Sequence, residues 1–129
     1  MRTLSCALLI SLLAGLAALE AQAKRAAPKE VAPLTRQGII YAAPHEHLGC
    51  VVAKDEKTGR LLWRKQIYLV KYDPALEQDV QDCFITELRF ADDKLLISNE
   101  RGGQFELNLS TLAVKVLKGA EVIDRTSGN

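Results

Sequence analysis

Three stretches of the chain gather side chains that could do chemistry. The first is His45-Glu46-His47. On an extended segment His45 and His47 point the same way, and two imidazoles on one side could ligate Zn²⁺ or Cu²⁺. A third ligand must come from elsewhere, and Cys50 is the nearest thiol. The competing reading is a polar loop after Pro44 with solvated histidines. The second stretch holds Asp73, Glu77, Asp79 and Asp82. Carboxylates so close could hold Ca²⁺, but the regular spacing and central glycine of a dedicated calcium loop are missing. The simpler expectation is a solvated loop whose aspartates cap a short helix. The third is Arg60 to Tyr72, where Arg60, Arg64, Lys65 and Lys71 interleave with Trp63, Tyr68 and Tyr72. An exposed face of that kind could bind a sugar polymer, a nucleic acid or a protein edge. The alternative puts Trp63 and one tyrosine in the core, with the basic stems covering apolar rims.

Nucleophilic catalysis has little to stand on. There is no Gly-x-Ser-x-Gly, and Ser98 and Ser110 fall at strand ends or turns. A Cys50–His47 dyad is conceivable, yet an oxidised Cys50 is inert. A carboxylate pair for glycoside hydrolysis needs a cleft between larger elements. The expectation is therefore no enzyme and no cofactor. Lys and Arg total 17 against 16 Asp and Glu, a net charge of +1. That balance offers no global attraction to nucleic acid or anionic lipid.

The 129 residues allow one domain. Residues 1–23 read as a signal peptide: Arg2, an apolar run from Leu4 to Leu19, and a small-x-small site at Ala21 and Ala23. The run is short for a membrane span. The expected location is periplasmic or secreted, with no span after cleavage. Cys50 and Cys83 then remain, and an even count in an oxidising compartment suggests one disulfide. Closing that loop is worth about 3–4 kcal/mol on the chain-entropy account. Two separate buried thiols are the alternative.

Residues 24–37, with Pro28, Pro33 and no apolar periodicity, read as a flexible linker. Residues 38–118 read as the β domain. Short runs at Gly38–Tyr41, Leu48–Lys54, Arg60–Tyr72, Cys83–Phe90, Leu95–Asn99, Gln104–Leu109 and Leu112–Leu117 are separated by turn signals. Lys65 interrupts the apolar set of the long third run, which predicts a bulge or two covered faces there. Ala75–Val80 has room for a turn or two of helix. Residues 119–129 read as a loose tail. The fold expectation is an all-β antiparallel meander of six to seven strands, as two small blade-like sheets or a partly open barrel.

Gly49 to Trp63 resembles the repeat of quinoprotein-type (PQQ-like) β-propellers. In that repeat a strand ending Ala-x-Asp enters a Thr-Gly turn and a returning strand ends in Trp; here Ala53, Asp55, Thr58, Gly59 and Trp63 take those places. Asp and Thr organise the turn, Gly takes its positive φ, and Trp packs between sheets. Lys94 to Val116 is a fainter copy, with Ser110-Thr111-Leu112 where Thr-Gly would stand and no Trp. The resemblance covers about two blades, whereas a closed propeller needs four or more. The family's quinone therefore does not carry over. Tyr72-Asp73-Pro74, Asp79-Val80-Gln81 and Phe84-Ile85-Thr86 also resemble a core found in small exported bacterial proteins, which brings no activity with it.

Two functions follow as expectations. One is a non-catalytic exported β module that binds an envelope protein, or itself, through edge strands. The other is an extracytoplasmic metal- or ligand-binding protein using His45 and His47.

Overall fold

A computed structural model of the chain describes residues 25–124. The expected leader lies outside them. The described chain is all-β, with no helix. Strands β1 (Leu34–Arg36), β2 (Ile39–Ala42), β3 (Cys50–Asp55) and β4 (Leu61–Gln66) form one antiparallel meander. Strands β6 (Ile85–Ala91), β7 (Lys94–Asn99), β8 (Gln104–Asn108) and β9 (Val114–Lys118) form a second. Between and after them, β5 (Leu69–Lys71) and β10 (Val122–Asp124) pair in parallel. The sheets do not close into a barrel.

Alternation builds the common core. In the second sheet, Leu88, Ile97, Phe105 and Val116 face one another across the strands, as do Phe90, Leu95, Leu107 and Val114. In the first sheet the matching row is Leu34, Tyr41, Ala53 and Trp63. These rows belong to one hydrophobic cluster, completed by Val51, Ile67, Tyr68 and Cys83. Aromatic contacts cross between the sheets: Tyr41 meets Phe90 edge-on at 5.5 Å, and the Arg36 guanidinium lies 3.9 Å above the Phe90 ring. Tyr68 stacks on Phe105 at 5.3 Å.

The two meanders close with the same turn. Asp55 Oδ1 accepts the Lys57 and Thr58 amides at 2.9 and 2.8 Å, and Thr58 Oγ1 accepts the Arg60 amide at 3.2 Å. Gly59 takes φ +70° and its amide returns to the Asp55 carbonyl at 2.8 Å. In the second sheet Asn108 Oδ1 accepts the Ser110 and Thr111 amides, both at 2.9 Å, and Thr111 Oγ1 accepts from Ala113 at 3.3 Å. Leu112 stands where Gly59 does, at φ 61°, and its side chain packs on the core. The faint second motif thus folds as the first one does.

Several expectations need correction. The segment read as linker contains β1, because Gln37 and Gly38 adopt positive φ and make a two-residue hairpin onto β2. The arm before it is also held. Arg25 forms an ion pair with Glu100 and donates to the Asp82 carbonyl at 2.8 Å, and Glu30 accepts the His45 amide at 3.2 Å. The tail read as loose contains β10, tied to β5 by the Leu69 amide on the Glu121 carbonyl at 2.8 Å and by Lys71–Asp124 at 3.2 Å. The long third run splits at Ile67-Tyr68, whose amides both turn to the Gly49 carbonyl, at 2.8 and 3.4 Å. The irregularity lies where Ala53 and Lys54 face Trp63 and Leu61, leaving Leu62 as the extra residue, rather than at Lys65.

No helix forms at Ala75–Val80. Instead Gln81, 1% exposed, holds the loop from inside. Its Oε1 accepts the Asp73 amide at 2.6 Å, and its Nε2 faces the carbonyls of Asp73, Leu76 and Glu77 at 3.0, 3.3 and 3.1 Å. A buried amide with that many backbone partners replaces the ladder a helix would supply.

Candidate functional site

The connection between β2 and β3 folds back over the outer face of the first sheet and carries both histidines. The imidazoles turn to different neighbours. The His45 ring lies 4.4 Å from the Phe84 ring, and its Nε2 is buried with no hydrogen-bond partner. His47 meets Arg64, whose Nη1 is 3.2 Å from Nδ1 and 3.4 Å from Nε2. That nitrogen is thus nearly as close to one ring nitrogen as to the other. Among the described residues no group of three His, Cys, Asp or Glu side chains gathers as a metal-ion cage. Nor does either imidazole bond a serine, threonine or cysteine side chain among them.

Cys50 and Cys83, the two cysteines among the described residues, are free and buried, so the expected disulfide is not formed in this structure. They serve different neighbours. Cys50 Sγ faces Gln66 Oε1 at 3.1 Å, whereas Cys83 sits in the common core with its carbonyl accepting the Tyr68 hydroxyl at 2.6 Å. Burial pushes both thiols up, against a smaller opposite pull from Arg64 on Cys50 and Arg101 on Cys83. Raised thiols in apolar surroundings are poor nucleophiles.

Two of the four acidic side chains serve local structure, while Asp79 Oδ2 is buried with no hydrogen-bond partner among the described residues. Asp73 Oδ1 accepts the Ala75 amide at 2.9 Å, and Asp82 Oδ1 accepts the Tyr72 hydroxyl at 2.6 Å. Burial and that bond push the Tyr72 phenol up to about 12. Of the aromatic residues in the basic run, Tyr68 is core and Trp63 is half-buried, its ring 6.0 Å from Tyr41. That matches the packing alternative for the aromatics.

The basic residues behave otherwise. Among the described residues, strand β4 is the last of its sheet and pairs only with β3. The Ile67 amide bonds Gly49 across the pair, so by antiparallel alternation Trp63 and Lys65 point their N–H groups at β3, and Arg64 and Gln66 point theirs away. This free edge carries Leu61 at 52% exposure and Leu62 at 40%. Beside it is a groove of about 310 Å³ floored by Val52 and Leu61 and rimmed by Glu46, His47, Lys54 and Arg64. Gly49 packs closely at the end of β4. With φ +71° it comes so near the Tyr68 carbonyl that Gln66 Nε2 can span to the carbonyls of Leu48 and Tyr68, at 3.1 and 2.5 Å.

Sequence reasoning named Gly49 and Gln81 as motif members without a structural role and passed over the Arg25 arm. A glycine before a β-branched run is the signal that could have found Gly49. Nothing in the pattern around Gln81 marks it. No known protein-family model matches the chain, and no curated protein matches it. No helix among the described residues is long and apolar enough to cross a membrane.

Proposed function

We propose that the protein is a non-catalytic, exported interaction module. It presents the edge of β4 to an extended segment of an envelope protein, which adds as a further strand. The observation that supports this reading is the edge itself: two outward amides, at Arg64 and Gln66, flanked by the exposed Leu61 and Leu62. An unpaired edge with apolar side chains is a template for strand addition, and the bulge at Leu62 with the charges of Arg64 and Lys65 restricts it to a partner that answers them. The blade-like arrangement, two meanders with matching turns, adds to the reading, because blades pack against further sheets.

Arg64→Pro tests it. Proline is tolerated on an edge strand where its missing N–H faced outward, so β4 should still pair with β3. Wild type and variant would be compared for retention of the partner from the native extracytoplasmic fraction, with light scattering to detect self-pairing. Thermal melting and Trp63 fluorescence would check folding. The expected result is loss of the partner by a folded Arg64→Pro variant. Undiminished retention would sink the reading. Leu62→Lys, on the bulge, is the second variant should proline disturb the sheet.

A further inference from the structure

The groove beside β4 says what kind of strand the edge accepts. Arg64 stands directly across from Val52, and Lys54 is two residues further along β3 on the same face. Neither cation has a carboxylate within 4.0 Å among the described residues. Other basic side chains here do find one: Arg25 on Glu100, Lys71 on Asp124, Lys94 on Glu106. Arg64 instead has its Nη1 beside the two ring nitrogens of His47. That contact does not neutralise the guanidinium and leaves its other N–H groups free. Below it, Val52 is 3% exposed and makes a dry floor. An exposed guanidinium over apolar surface, with no carboxylate within 4.0 Å although Glu46 also lines the groove, is suited to a carboxylate, which it can grip through two parallel N–H bonds.

We propose that the Arg64–Lys54 groove binds the side-chain carboxylate of a glutamate or aspartate on the added strand and so sets that strand's register. This rests on the edge reading above and narrows its partner to an acidic extended segment. A strand beside β4 places every second side chain over the outer face. One acidic side chain then reaches Arg64 and Lys54 while its neighbours on that face lie over Leu61. A register slip by one residue would carry the carboxylate to the other face, so one charge contact selects among alignments.

The probes are two synthetic peptides, one alternating valine with glutamate and the other valine with lysine. The reporter is the emission of Trp63, the chain's single tryptophan, next to Arg64 on β4. The expected result is a saturable emission change with the glutamate peptide and none with the lysine peptide. Arg64→Gln, which keeps the outward N–H, and Lys54→Gln, which leaves β4 untouched, should each weaken binding by about tenfold. Equal binding of both peptides, or binding unmoved by both substitutions, overturns the carboxylate site but leaves the edge reading intact. A glutamate peptide that does not bind overturns the site as well, and the edge reading is then judged by Arg64→Pro alone. Light scattering that finds β4 already taken by a second copy also overturns it.

Discussion

Gly49→Ala should destabilise this domain strongly, by an amount that can be worked out against an internal control. Gly49 and Gly59 have nearly the same backbone, φ +71° and +70°. Holding an L-residue in the left-handed region costs roughly 1–2 kcal/mol, so both alanine variants lose about that much. Their surroundings differ. A Cβ at Gly59 meets nothing within 4 Å. A Cβ at Gly49 falls closer than 3.0 Å to the Tyr68 carbonyl oxygen, a backbone atom with nowhere to go. Relieving that contact means moving the β3–β4 ladder or the Gln66 clamp, an overpacking cost of about 1–3 kcal/mol. Gly49→Ala is therefore expected to cost about 2–5 kcal/mol, a large share of the 5–15 typical of a domain. Urea unfolding followed by Trp63 fluorescence would measure both variants, with a difference of about 1–3 kcal/mol between them. Equal losses at the two positions would refute the close approach of Gly49 to the Tyr68 carbonyl.

Two further outcomes are expected. The Thr58 amide, its hydroxyl and the Lys57 amide hold the Asp55 carboxyl below the ordinary aspartate range. A lowered folded value means that this turn's contribution is present above the unfolded value of about 3.9 and fades as pH falls through the lower folded one. Acid unfolding of wild type against Asp55→Asn checks it: the gap should be constant near neutrality and shrink below that range. Asn108 already holds the equivalent turn with an amide oxygen, so the variant should fold. Cys50 and Cys83, buried with raised thiols, should react slowly with iodoacetamide in the native protein and fast in denaturant. Intact mass with and without reductant should be identical. A shift of about 2 Da would restore the disulfide first expected from the redox compartment.

Much of the fold was legible in the sequence because its signals are local. Phe105, Leu107 and the residues between them alternate cleanly, and Asp55-x-x-Thr58-Gly59 specifies its turn through its own hydrogen bonds. What escaped depends on partners far along the chain. Strands β1 and β10 have three residues each, too short for alternation to register, and each is defined by the strand it meets. The loop around Gln81 looked helical from Leu76 and Val80, four apart, yet one buried amide supplies its bonds instead. The site was legible in part. The basic character of Arg60 to Lys71 was plain, but pairing decides which side of β4 is open. His45 and His47 share a side in an extended segment; this segment is a folded-back loop, with turns at His45, Glu46, Leu48 and Gly49.

Amide hydrogen exchange at β4 tests the central claim most directly. In the free protein Trp63 and Lys65 should be protected, while Arg64 and Gln66 exchange nearly as fast as a loop. In the complex with the captured partner, Arg64 and Gln66 should become protected as well. Slow exchange of those two amides in the dilute free protein, or unchanged fast exchange in the complex, would contradict an open edge that binds by adding a strand.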